Sequence, residues 1–266
     1  MQFVRYCFIM GYKLGWGVCE VLGEVIAILS GKGGTGKSAL CAGIATTLAA
    51  MGKQILCIDG DVGLRNLDVF LGISGTESLS FLDVCSGSYP LSAATEHPQF
   101  SSLRFLTAPV NCTADDIDPQ DFQILLDEAR ENFDFVLIDG PAGIGPGMNL
   151  VAQFADRCVL TTLPDPASIR SAERAAQELE KMGIKNARLV VNRVYNDILK
   201  AMNKTIDDLM DEVGLPLLGI VPTDPNVSFA AAVGKPMIKY SRFGASAAYK
   251  RIAKRIQGLS VPVANR

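Results

Sequence analysis

Short apolar runs alternate along the chain with longer stretches in which apolar positions recur every three or four residues. The first run, Val25–Leu29, predicts a buried strand that leads into a glycine-rich loop. Ser38–Met51 is rich in Ala and Leu and is closed by Gly52, which predicts a helix with glycine just past its end. Ile55–Ile58 predicts the next strand, ending in Asp59. Strand, loop, helix and strand together suit a right-handed crossover between parallel neighbours. The alternation then repeats. Strands are predicted at Arg104–Leu106, at Phe135–Ile138 ending in Asp139, at Cys158–Thr162, at Leu189–Val191 ending in Asn192, and at Leu217–Val221. Helices are predicted from Asp118-Pro119 to Asn132, from a Ser168 cap to Met182, from Asn203 to Val213, and from Gly244 to Ile256. This order implies an α/β protein with a mainly parallel, twisted sheet and helices on both faces. In such sheets ligands bind outside the carboxyl ends of the strands. The loop, Asp59, Asp139 and Asn192 all fall at those ends, so they are expected to share one site.

Composition narrows the picture. Of the 266 residues, 48% are apolar and only 7% aromatic, so aliphatic side chains must fill the core. That favours buried parallel strands over an antiparallel sandwich. No linker-like or low-complexity stretch divides the chain, and one domain is expected over residues 24–258. Residues 1–23 read as an N-terminal extension, either poorly ordered or not needed by the domain, and residues 259–266 as a tail. No apolar run in the extension reaches the ~18 residues of a membrane span, and no secretory cleavage pattern follows one. The seven cysteines are scattered and form no C-x-x-C pair, which predicts buried thiols rather than disulfides or zinc ligands. The single histidine, His97 beside Pro98, is expected on a surface loop.

Charge is unevenly spread. No Asp or Glu follows Asp224, so residues 225–266 carry +8 and the remainder −11, within a net charge of −3. Such a basic end on an acidic body suits a solvated helix face, an anionic membrane surface or nucleic acid.

The chemistry concentrates in Gly31-Lys32-Gly33-Gly34-Thr35-Gly36-Lys37-Ser38. This G-x-x-x-x-G-K-S pattern between a strand and a helix is a P-loop signature. Its glycines let backbone N–H groups close around phosphate oxygens, and the following helix adds its positive end. Lys37 is expected on the β- and γ-phosphates and the Ser38 hydroxyl on Mg²⁺. Asp139, ending an apolar strand before Gly140-Pro141-Ala142-Gly143, is the second expected Mg²⁺ residue. Asp61, in the charged stretch Asp59–Asp68, is placed to orient the attacking water or a water on Mg²⁺.

These residues resemble a known family. Lys32, ahead of Gly33-Gly34-Thr35-Gly36-Lys37-Ser38, resembles the deviant Walker A loop of the MinD/ParA group of P-loop NTPases. Asp59–Asp68 and Asp139–Gly143 are similar to the two switch segments of its MinD branch, with Gly140 where a serine is usual. Thr161–Arg170, Val191–Val194, Val221–Asp224 and Ala231–Pro236 extend the likeness to nearly the whole of Glu24–Ile256. The resemblance implies that Gly31, Gly33, Gly34, Thr35, Gly36, Lys37, Ser38 and Ala39 hold ATP phosphates, and that Asn192, Pro222 and Asp224 surround adenine. It implies catalytic roles for Lys32, Lys37 and Asp61, with Lys32 reaching the partner's phosphates in an ATP-dependent homodimer. Metal contacts would come from Ser38, Asp61 and Asp139. Slow, partner-stimulated hydrolysis, division-site regulator proteins as partners and placement of the division septum would follow. So would a cytoplasmic location, peripheral at the inner face of the membrane. The alternative is a ParA-type partitioning ATPase acting on DNA. Cluster-carrying relatives need paired cysteines that this chain lacks. Pro262 and the absence of bulky apolar spacing in Gly258–Arg266 argue against a separate amphipathic membrane helix.

Overall fold

The computed structural model describes residues 12–15, 18–62, 65–110 and 112–263. Among the described residues there are ten strands: β1 (Tyr12–Gly15), β2 (Val18–Val21), β3 (Glu24–Ser30), β4 (Ile55–Asp59), β5 (Thr95–His97), β6 (Phe100–Leu106), β7 (Phe135–Ala142), β8 (Arg157–Thr162), β9 (Ala187–Val194) and β10 (Leu217–Pro222). The helices are α1 (Lys37–Ala50), α2 (Leu67–Leu71), α3 (Phe81–Cys85), α4 (Pro119–Asn132), α5 (Pro146–Gln153), α6 (Pro166–Lys181), α7 (Asn196–Ala201), α8 (Ile206–Val213), α9 (Asn226–Ala232), α10 (Met237–Tyr240) and α11 (Ala245–Ile256).

Eight strands form one sheet in the order β10-β9-β8-β3-β7-β4-β6-β5, parallel except for the β5 edge. β3 sits in its middle. Successive side chains of a strand point to opposite faces, and both faces here are covered. Val25, Ala27 and Leu29 enter one core layer with residues of α4, α5 and α6. Ile26 and Ile28 enter the other, with residues of α1 and α11. That two-sided burial is why β3 reads as a continuous apolar run rather than an alternating one.

The expected elements are present, with four corrections. The α6 cap is Asp165, whose side chain accepts from Ser168 N; Ser168 lies in the first turn. Competition between two capping residues three positions apart is settled by Pro166, which suits the first helical position. The helix expected over Asn203–Val213 starts later, at Ile206: a separate short helix, α7, ends at Ala201, Asn203 takes φ 49°, and Thr205 caps α8. His97 is buried rather than exposed, with its Nε2 2.8 Å from the Leu71 carbonyl. The antiparallel edge strand β5 carries it inward, and burial lowers its pKa. Finally, the strand expected at Arg104–Leu106 begins at Phe100.

Cys41, Cys57 and Cys158 are buried free thiols, whereas Cys85 and Cys112 are half-buried. Most of the N-terminal extension lies outside the described residues, as do Cys7, Gly63, Leu64 and residues 264–266. Within the extension β1 and β2 pair as an antiparallel hairpin. No helix among the described residues is long and apolar enough to cross a membrane.

α1 is pinned between the sheet and α11. A Cβ placed on Gly43 would lie 2.2 Å from Cδ2 of the buried Tyr249. Alanine in a helix interior normally stabilises relative to glycine by roughly 0.5–1 kcal/mol. Here Gly43→Ala is expected to destabilise by about 1–3 kcal/mol through overpacking. Denaturant unfolding of wild type and variant measures the difference, and a gain in stability would contradict this packing.

Candidate functional site

β3 delivers the chain to the loop at Ser30. Two contacts hold the exit: Ser30 Oγ donates to Lys32 O at 2.9 Å, and Gly143 N donates to Ser30 O at 2.9 Å. Gly31 passes so close to α6 that a Cβ would meet Ser171 O at 2.1 Å. Gly36 takes φ 86°, a left-handed turn from which α1 starts. No side chain caps α1, and its first turn holds no acidic residue. The first N–H groups of a helix lack intrahelical partners, so this end is open to an anion.

Lys37 is the first residue of α1 and is only 6% exposed. Its Nζ lies 2.8 Å from Asp139 Oδ1 and 3.9 Å from Asp61 Oδ2. Asp139 is fully buried. The β4–β7 register sets Asp59 directly opposite it. One ammonium therefore faces a cluster of three carboxylates. Burial raises the pKa of all three, and the Lys37 charge opposes the rise for Asp61 and Asp139.

The sequence placed Asp59 at the shared site by its strand end but assigned it no role. It is buried, pushed up to about 7 by desolvation and then by the Asp139 charge. Its Oδ1 accepts from Asp61 N and its Oδ2 from Leu67 N, each at 3.1 Å. It thus straps both ends of the first switch segment. The available signal was its place at a strand end, the same as that of Asp139.

Two buried polar atoms of the site have no hydrogen-bond partner, Asp139 Oδ2 and Thr35 Oγ1. Buried groups are seldom left so. An unsatisfied carboxylate oxygen, excess negative charge and the Ser38 hydroxyl at the same helix start make a donor set that fits a hard divalent cation such as Mg²⁺. The open N–H groups beside it fit phosphate.

The two loop lysines face different surroundings. Lys32 Nζ lies 3.6 Å from Asp165 Oδ1, and both side chains are about a third exposed. Asp165 also accepts from Ser168 N and Oγ. Partial burial opposes ionisation of Asp165, but the Ser168 bonds and the Lys32 charge hold its carboxyl below the usual range. Sequence reasoning missed this pairing because the partners are distant in the chain.

Of the residues expected around adenine, Asn192 contacts the loop. Asn192 Nδ2 donates to Thr35 O at 2.7 Å, and its Oδ1 accepts from Arg193 N. Asn192 therefore braces the loop. Arg193 has φ 52°, and its Nε would lie 3.9 Å from a Cβ on Gly36. Asp224 follows Pro222 at the end of β10. One of its oxygens accepts from Asn226 N and the other from Ala245 N, each at 2.9 Å, so it ties the starts of α9 and α11. A cleft of about 230 Å³ opens between the two switch segments, lined by Gly60, Val62 and residues from Pro141 to Met148.

A parallel sheet whose central strand feeds an open-ended helix through a glycine-rich loop defines a P-loop nucleotide-binding protein. The chain belongs to the family described as the CobQ/CobB/MinD/ParA nucleotide binding domain, whose profile matches residues 26–237. It is 37% identical to the septum site-determining protein MinD of Bacillus subtilis, over 91% of this chain and 92% of that protein. Among solved structures it resembles the MinC:MinD cell division protein complex of Aquifex aeolicus, with TM-score 0.84 and 34% identity, covering 91% of this chain and 99% of that one. It also resembles the MinD of Pyrococcus horikoshii complexed with Mg-ADP, with TM-score 0.77 and 26% identity, covering 88% and 96%.

The raised Asp59 carboxyl has a measurable consequence. An acid that holds its proton more tightly folded than unfolded removes stability as pH rises from the unfolded value, about 4, to the folded one. Nucleotide-free protein is expected to lose thermal stability relative to Asp59→Asn as pH rises from about 4 to about 7. Melting curves across that range measure the difference, and a pH-independent difference would contradict the buried, protonatable Asp59.

Proposed function

We propose that the chain is a MinD-type ATPase switch. It binds Mg·ATP in the Gly31–Ser38 loop, dimerises with ATP, hydrolyses it slowly to ADP and phosphate until a partner stimulates it, and sets division-septum position. The carrying observation is the pair of loop lysines in separate places: Lys37 buried on Asp139 and Asp61, Lys32 at the rim on Asp165. We assign this activity to residues 24–258.

In this reading the N–H groups from Gly31 to Ala39, with Gly33, Gly34, Thr35 and Gly36 among them, take the phosphates. Lys37 exchanges carboxylate oxygens for β- and γ-phosphate oxygens. Ser38, Asp139 and Asp61 would hold Mg²⁺, directly or through water, and the ion held there would supply charge neutralisation to the phosphates. Asp61 orients the attacking water, and Asp59 keeps Asp61 in place through its backbone N–H. Asn192 and Pro222 border the base, while Asp224 shapes that pocket by anchoring α9 and α11. A lysine at the rim can leave Asp165 and approach the phosphates of a second copy, where an added cation stabilises developing charge. Catalysis is then tied to dimerisation, and the protein works as a timed switch.

A second reading is an ATPase that acts on DNA. The observation favouring it is the uncompensated positive charge after Asp224. Co-sedimentation of full-length protein with anionic liposomes or with plain duplex DNA, with and without ATP, separates the two. ATP-dependent retention on DNA alone would replace the septum reading; retention at the membrane face would support it.

Lys37→Ala is expected to lower hydrolysis by roughly 100-fold or more. Lys32→Ala is expected to keep ATP binding and lose the ATP-dependent dimer, measured by light scattering after size exclusion. A Lys32→Ala protein that still dimerises with ATP would remove the rim lysine from this scheme.

A further inference from the structure

A second concavity lies away from the nucleotide site. It is a groove of about 390 Å³ between α1, α10 and α11. That volume is within the range of small-molecule sites. Its lining is divided. Ala50 and Met51 at the end of α1 and Ile238 of α10 supply apolar surface, whereas Arg242 and Lys250 supply positive charge.

That charge is uncompensated. Among the described residues neither Arg242 nor Lys250 forms an ion pair. The three elements that frame the groove contain no Asp or Glu. One guanidinium and one ammonium lining the same groove repel each other unless an anion lies between them.

Ser246 adds an independent sign. It lines the groove, is only 6% exposed, and its hydroxyl makes no hydrogen bond among the described residues. The neighbouring Thr47 hydroxyl, by contrast, donates to Gly43 O at 2.6 Å. A groove-lining hydroxyl with no partner in the chain is free to donate to a bound anion in place of water. Two exposed aromatic residues lie close to Arg242 in sequence: Tyr240 and Phe243 are 40% and 81% exposed. Exposed rings beside cations suit a molecule that is part acid and part hydrocarbon better than a bare ion.

We propose that this groove binds an anionic amphiphile. Arg242, Lys250 and the Ser246 hydroxyl hold its phosphate or carboxylate head, and its alkyl chain lies on Ala50, Met51 and Ile238. A dispersed single lipid and a lipid within a bilayer share this chemistry. The site is independent of the nucleotide reading, because no residue in it touches the loop's phosphate cradle.

The test uses the full chain. Dihexanoyl phosphatidic acid, dihexanoyl phosphatidylcholine and inorganic phosphate are titrated separately by calorimetry below their aggregation limits. The phosphatidic acid is expected to bind at least about tenfold more tightly than either control, and Arg242→Ala with Lys250→Ala to weaken it by about tenfold or more. Ile238→Gln is expected to weaken it while leaving inorganic phosphate unaffected. Sedimentation with phosphatidylglycerol–phosphatidylcholine vesicles identifies the source. Loss in the double variant assigns a bilayer lipid; equal sedimentation, with the monomer effect intact, assigns a dispersed one. Equal affinity for the phosphatidylcholine, or undiminished phosphatidic acid binding in the double variant, would overturn the proposal. ATP binding measured on the same samples keeps failure of the nucleotide site distinct.

Discussion

A lysine taken out of water needs a counter-charge, and Lys37 is taken out of water at the start of α1. Its partner Asp139 is buried completely, and removing one member of such a pair typically costs about 3–5 kcal/mol. The geometry of the site follows from keeping this pair together. The loop must turn through Gly36 to start α1 beside β7, and β7 must end level with β4 so that Asp59 and Asp139 stand opposite each other. The outcome is a pocket with more negative than positive charge and one unsatisfied carboxylate oxygen. Such a pocket is poised for a cation and for an exchange of partners by Lys37.

The same loop holds two lysines in different surroundings. Lys37 belongs to the interior; Lys32 belongs to the rim. The two side chains of the Lys32–Asp165 contact are about a third exposed, and ion pairs of that kind contribute little, about 0–1 kcal/mol. A weak restraint is what a residue needs if it is to change partners when a second copy arrives. Asp165 is held by Ser168 whether or not Lys32 is present, so α6 keeps its cap when the lysine leaves.

Much of this architecture was legible in the sequence because it rests on local signals. Glycine spacing, an apolar strand before the loop and an Ala-rich helix after it specify the phosphate cradle without long-range information. Asp139 was legible because it ends a strand. Asp59 carries the same signal, but its role as a strap depends on Leu67 N, which only the folded switch brings near. The burial of His97 was hidden because its partner is a backbone carbonyl of α2, invisible to side-chain patterning. Asp224 was read as a base contact; its two bonds to helix starts were not legible, because those starts converge only in three dimensions. The groove beside α11 was foreshadowed by the missing acids after Asp224, although charge alone did not reveal the apolar floor.

Calorimetric titration of ATP into wild type and Asp139→Asn, with Mg²⁺ and with chelator, tests the central claim most directly. The account predicts that Mg²⁺ strengthens ATP binding to wild type and that the substitution abolishes this strengthening while ATP still binds through the loop and Lys37. Equal Mg²⁺ dependence in the two proteins would contradict the assignment of the buried carboxylate and, with it, the chemistry built on the Lys37–Asp139 pair.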